Sequence, residues 1–79
     1  MNVRVHFFGM IAEALNSSLH IMENYEGLTI GDVERDLLAL YPQLEKFSYQ
    51  VALDRKLVHR STPLLIDNEI AILPPFAGG

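Results

Sequence analysis

The sequence predicts an α+β domain in which one mixed sheet of about five strands packs on one main helix. Three observations predict it. Residues Val3 to Phe8 alternate apolar and polar positions, the period of a half-buried strand. Thr29 is followed three residues later by Asp32 and then by apolar residues at three- and four-residue spacing, the pattern of a capped amphipathic helix. Glu69 to Leu73 alternate again and run into Pro74-Pro75, which cannot continue a ladder. Strands at both ends with a helix between them are segregated elements, and segregation is the mark of an α+β layer pair.

In the first strand, Val3, Val5 and Phe7 share the inward face, and Arg4, His6 and Phe8 the outward one. Gly9 breaks it. Met10 to Leu15 reads as a short helix with Ile11, Ala14 and Leu15 on one side. Asn16-Ser17-Ser18 is turn chemistry. A second strand follows, with Ile21 expected in the core and Leu19 on its face, alternating with His20 and Met22. The main helix starts at Thr29, presents Ile30, Val33, Leu37, Leu40 and Tyr41 as its core stripe, and stops at Pro42. Residues 43 to 47 add one further turn. Val51 and Leu53 open a third strand, Asp54-Arg55 forms a turn, and Lys56 to His59 returns as a fourth. Leu64 and Leu65 are both expected to face the core, and Asp67-Asn68 to form a turn. The last strand turns Ile70 and Ile72 inward and should lie beside the first.

The chain has 79 residues, a formal net charge of −4 and 49% hydrophobic residues. That is one domain with enough apolar content for a compact core. It contains no cysteine, which excludes disulfides, a thiolate nucleophile and a cysteine-ligated metal. No stripe of Lys and Arg exists to neutralise phosphates, so nucleic acid is not an expected partner. No apolar run approaches a membrane span or a signal peptide, so the expectation is a cytoplasmic protein.

The residues offer no constellation for catalysis. His6, His20 and His59 are scattered over three strands and read as surface residues rather than a metal site. Glu34 and Asp36 solvate a helix. What remains is the end, Leu73 to Gly79, "LPPFAGG". We divide the chain into a body, residues 1–73, and an extended tail, residues 74–79. Pro74 and Pro75 stiffen its root, and Phe76 and Ala77 lead to Gly78 and Gly79, which have no Cβ and can thread a channel closed to any side chain. The group delivered at the end is the Gly79 carboxylate. Activated as an acyl-adenylate, it would accept sulfur or another nucleophile, which suits a carried group served by a catalyst elsewhere. The outward faces of the first and last strands both turn apolar at their C-terminal ends. Phe8 and Leu73 would therefore meet beside the root of the tail as a docking patch.

These residues resemble those of a known family. "VHFFGMIAEAL", "LTIGDVERDLLALYP", "VALDRKLV" and "DNEIAILPPFAGG" are similar to the small subunit of molybdopterin synthase, a ubiquitin-like β-grasp sulfur carrier of the MoaD-like kind. Asp54 stands where that family usually has asparagine, Asp67-Asn68 where it has Gly-Asp, and Ala12 where it often has arginine. The resemblance implies a ubiquitin-like β-grasp fold. It implies a non-catalytic carrier subunit whose Gly79 carboxylate becomes a thiocarboxylate in molybdenum cofactor biosynthesis. An adenylating enzyme would use ATP to activate Gly79, a sulfur donor protein would supply the sulfur, and a large synthase subunit would transfer it to a pterin precursor. No cofactor would be held permanently. The family's partner contacts carry over to Phe8, Leu57 and Leu73. Other carriers, for thiamine or tRNA thiolation, and ubiquitin-like protein modifiers are the competing readings, with a plain interaction domain whose tail is idle behind them.

Overall fold

The structure is a computed structural model that describes residues 1–65 and 68–75. The elements run β1 (Val3–Phe7), α1 (Gly9–Leu15), β2 (Leu19–Met22), α2 (Ile30–Leu40), a 3-10 turn (Pro42–Lys46), β3 (Gln50–Leu53), β4 (Lys56–Leu57) and β5 (Glu69–Leu73). They form one five-stranded sheet in the order β2-β1-β5-β3-β4. β1 and β5, the first and last strands, are parallel neighbours at its centre, and every other pairing is antiparallel. This is the α+β β-grasp architecture the sequence predicts.

One face of the sheet is covered. Val3, Val5 and Phe7 of β1, Ile70 and Ile72 of β5, and Val51 and Leu53 of β3 are buried in a single cluster with Ile11, Leu15, Ile30, Val33, Leu37 and Leu44. The predicted alternation of β1 and β5 is the one observed. The start of α2 shows why the helix begins where it does. The Thr29 hydroxyl accepts from the Asp32 N–H at 3.3 Å, and the Asp32 carboxylate accepts from the N–H groups of Thr29 at 3.0 Å and Leu28 at 2.8 Å. The two helix N–H groups that this box leaves over, on Ile30 and Gly31, donate to the carbonyls of Thr62 and Arg60 at 2.9 and 2.8 Å. All the donors a helix start leaves orphaned are thus satisfied, and the same bonds tie the 60–62 loop to the helix. Tyr25 adds a strap: its hydroxyl donates to Asp36 at 2.5 Å, and its ring lies where a Cβ on Gly27 would have to be.

Several expectations are corrected. Ile21 is 44% exposed, and Met22 takes the core position with His20 half-buried beside it. The β1–β2 register pairs Met22 with Val3 and His20 with Val5, both inward residues, while Ile21 pairs with the outward Arg4. Ala14, Leu40 and Leu65 are exposed rather than in the core. Beside the exposed Leu40, it is Tyr41 that is half-buried and packs edge-on to Phe7. For Leu65, its neighbour Leu64 is drawn inward when its N–H bonds to the Leu28 carbonyl at 2.9 Å, so the next side chain points away. β1 ends at Phe7, not Phe8, and β4 is only two residues long. Asp54 and Arg55 do form the turn, both with positive φ (49° and 75°), the geometry of a tight hairpin that matches strand twist. Asp67 lies outside the described residues. Asn68 is buried, and its amide donates to Asp54 at 3.4 Å while its side-chain oxygen accepts from the Leu65 N–H.

Candidate functional site

Among the described residues no helix covers the second face of the sheet. Its residues follow from the register. Arg4 pairs with Glu69; His6 lies between Leu19 and Ala71, and Ala71 pairs with Ala52, which pairs with Leu57. A transverse row, Leu19–His6–Ala71–Ala52–Leu57, thus crosses all five strands on the open face. Carried one row further, the β1–β5 register sets Phe8 beside Leu73, and Leu73 pairs with Gln50.

The face is graded along the strands. At one end, Arg4 and Glu69 form an exposed ion pair at 3.6 Å. In the middle lie His6 and the small alanines. At the other end stand Phe8, 46% exposed, and Leu73, half-buried, with Leu57, 59% exposed, on the neighbouring edge. The observed β1–β5 pairing runs to Phe7 and Ile72, and Phe8 and Leu73 are the residues that follow each of them. Leu57 belongs to the same open face but to the middle row, across Ala71 and Ala52 from His6.

Beyond Leu73 the chain turns at Pro74, half-buried, and Pro75, exposed. Here the structure supplies a residue that sequence reasoning had treated only as a strand breaker. Gly9 has φ +56°, and a Cβ on it would come within 3.2 Å of the Pro74 ring. Gly9 therefore seats the root of the tail against the β1–α1 junction. Two demands coincide there, a left-handed backbone and a close approach, and only glycine meets both cheaply. Phe76, Ala77, Gly78 and Gly79, the remaining tail residues singled out above, lie outside the described residues.

Two of the histidines differ from the expected surface set. His20 is half-buried, with its Nδ1 3.2 Å from the Tyr41 hydroxyl and its ring edge-on to Tyr41. His59 is exposed and bonded to Ser61. His6 is half-buried on the open face, stacked on Phe8 with ring centroids 6.3 Å apart and planes at 26°. Among the described residues no three histidine, aspartate or glutamate side chains gather as metal ligands. No helix among them is long and apolar enough to cross a membrane.

Comparison with known proteins completes the description. A model of the ThiS family matches residues 5–79 of this chain. Among solved structures, small archaeal modifier protein 1 from Haloferax volcanii superposes with a TM-score of 0.84 at 21% identity, covering 100% of both chains. A putative molybdopterin converting factor subunit 1 from Pyrococcus furiosus gives 0.84 at 15% identity, covering 96% of this chain and 99% of that one. A chain of the complex of subunits 1 and 2 of the molybdopterin-converting factor from Helicobacter pylori gives 0.72 at 26% identity, covering 100% of both. The first two likenesses are likenesses of fold.

Proposed function

The chain belongs to the ThiS family of ubiquitin-like β-grasp sulfur carriers, and from that premise we propose that it is the sulfur carrier subunit of a molybdopterin synthase. The observation that carries this reading is the graded open face. Its apolar end, Phe8 with Leu73, lies where β5 leaves the sheet through Pro74, so a partner that docks there receives the tail directly. Two further points support it. The family match runs through Gly79, and the 26%-identical structure matched over its whole length is a complex of the two molybdopterin-converting factor subunits.

The chemistry assigned to the tail is as follows. The Gly79 carboxylate attacks the α-phosphate of ATP on an adenylating enzyme, pyrophosphate leaves, and an acyl-adenylate forms. A persulfide sulfur from a donor protein attacks the acyl carbon and AMP leaves. Reductive cleavage of the sulfur–sulfur bond by a thiol leaves the thiocarboxylate on Gly79. The large synthase subunit then catalyses transfer of that sulfur to the pterin precursor. This chain supplies reach, a docking face and a bare terminus, and it needs no cofactor of its own.

The likeness to a small archaeal modifier protein favours one alternative, a modifier whose activated Gly79 is passed to lysine amines. Both readings share the adenylation step and part after it. Intact-mass analysis of the protein from its host, with fragmentation, separates them. A gain of about 16 Da placed on Gly79, and not on an oxidised methionine, supports the carrier. An isopeptide bond from Gly79 to lysines of other proteins supports the modifier. Deleting Gly79 leaves a carboxylate about 3.5 Å short of the reacting centre and should nearly abolish sulfur transfer in a reconstituted synthase. Near-normal product from that variant would sink the proposal.

A further inference from the structure

The sheet has two edges, and they are built differently. One is β4, two residues long, entered through Asp54 and Arg55 and carrying Lys56. A short strand set among charged residues is a common way to keep an edge from pairing with another chain. The other edge is β2, Leu19–Met22, and it has neither guard. Its four residues pair with β1 in four consecutive steps, so no bulge turns it away. The run Leu-His-Ile-Met holds no lysine, no proline and no acid. Leu19 and Ile21 are each 44% exposed on the open side of the sheet.

The ladder fixes which backbone groups face outward. The Phe7 N–H donates to the Ser18 carbonyl at 3.0 Å. Along an antiparallel strand, residues bonded to one neighbour alternate with residues whose groups point to the other side. Ser18, His20 and Met22 therefore bond to β1, and the N–H and C=O groups of Leu19 and Ile21 point out of the sheet. One of these, the Leu19 carbonyl, accepts from the Ser17 hydroxyl at 3.2 Å and keeps a second lone pair. His20 Nδ1, 3.2 Å from the Tyr41 hydroxyl, ties the middle of the strand to the residue that ends α2.

We propose that β2 pairs with β2 of a second copy of this chain, antiparallel about a two-fold axis beside His20, joining two sheets into one. Leu19 then lies opposite Ile21 of the second copy, and Ile21 opposite its Leu19. Each of these pairs exchanges two backbone hydrogen bonds. Three features choose a second copy as the occupant. The outward groups at positions 19 and 21 are symmetric about His20, so the edge is its own complement, as a two-fold contact requires. The side chains that meet on the open side are all large and apolar, a cross-strand contact that stabilises a ladder. Glu23, the next acid along the chain, comes opposite Ser17 and not opposite its own copy, so two chains of net charge −4 meet without like charges in register. Moving the axis to Ile21 would set Glu23 against Leu19 instead. The contact is small and belongs with transient associations. Phe8, Leu73 and Pro74 lie on strands inside the joined sheet or beyond their ends, and stay uncovered. The two open faces look the same way and the two tails leave at opposite ends. The pairing does not rest on the carrier reading, and either can fail without the other.

Sedimentation velocity of the full chain tests it, from about 5 µM to about 1 mM, the range in which weak interfaces assemble. Wild type should move from the monomer mass toward twice that mass as concentration rises. Ile21→Lys puts a charge on the edge and should weaken association about tenfold or more. Its melting curve checks that the fold is kept, and Leu19→Lys repeats the test at a second position. The chain has no cysteine, so introduced ones report the register. Leu19→Cys mixed with Ile21→Cys in a glutathione redox buffer should give the mixed disulfide in excess of random pairing, because only residues directly opposite come within disulfide reach. Monomer mass at every concentration, wild-type association in both folded lysine variants, or random or symmetric disulfides would each overturn the proposal. If Phe8→Ala abolishes association and the lysine variants do not, the copies meet through the open face and the β2 pairing is wrong.

Discussion

The two faces of this sheet are made from the same five strands by different rules. On the covered face every central position is apolar and buried, from Val5 and Phe7 through Ile70 and Ile72 to Val51, and among the described residues no buried side-chain polar atom there lacks a partner. On the open face the chain tolerates an exposed phenylalanine, an exposed leucine and a buried nitrogen without a partner. The covered face has been arranged for the protein alone. On the proposed function, the open face is the one a partner covers. A residue's effect on stability and its effect on binding should therefore separate by face, and that separation can be attacked.

The largest effect belongs to the covered face. Leu37 is fully buried on α2, and Leu37→Ala should cost about 2–5 kcal/mol in chemical denaturation. A cost below about 0.5 kcal/mol would place α2 in another register and break the comparison at its root. Next comes the open face. Phe8→Ala and Leu73→Ala should each weaken binding to the large subunit about tenfold or more, while Phe8→Ala changes stability by less than about 1 kcal/mol. If Phe8→Ala destabilises as Leu37→Ala does, its ring is a core residue and the faces are not distinct.

Gly9 joins the two. Gly9→Ala should cost about 1–2 kcal/mol for a left-handed backbone, and the added methyl must push Pro74 aside. We expect slower adenylation of the tail in this variant even at temperatures where it is fully folded. A normal rate would show that the seat of Pro74 does not aim the tail.

Smaller again is the start of α2, far from the docking face. Thr29→Ala should cost about 1 kcal/mol and leave partner binding as it was. Its box partner Asp32 has a pH signature. Hydrogen bonds from the Leu28 and then the Thr29 N–H hold the Asp32 carboxyl below the ordinary value of 3.8. The folded-state pKa is the lower one. The carboxylate therefore stabilises the fold above the unfolded value, and that contribution is lost as pH falls through the folded value. Asp32→Asn should flatten the acid limb of Tm against pH. An unchanged acid limb would remove Asp32 from the box.

Much of this could be read from the sequence where one signal was unopposed. In β1 and β5 the alternation is unambiguous, because each has a polar or small set against a β-branched or aromatic one. At Thr29 the cap and the acid three residues on name the helix start to the residue. β2 takes the opposite face from the one expected because each of its alternating sets carries a large apolar residue. Leu19 and Ile21 outrank His20 and Met22 in hydrophobicity, yet the choice is made by the pairing of Met22 with Val3, a long-range fact. Leu65 was misread for a like reason, since the bond from Leu64 to Leu28 decides which of two leucines turns in. The outward placement of Phe8, exposed here, and of Leu73, half-buried here, follows from alternation. The role of Gly9 was not legible, because it depends on Pro74, at the other end of the chain. Nor was the buried nitrogen of His6, since burial of a single atom depends on neighbours from strands that only the fold brings together.

The placement of β5 has a mechanical consequence. The tail leaves from the end of a strand that is hydrogen-bonded on both sides, to β1 and to β3. A pull along the tail, as when a partner draws it into a channel while the body stays docked, runs parallel to both ladders. Their bonds are then loaded together in shear, and none can be peeled open one at a time as at a free edge. β1 bears much of that load, and it runs parallel to β5 with its own start anchored at the opposite end of the sheet. Traction applied at Pro75 is thus resisted by both ladders at once, so the body can bear a load delivered through β5.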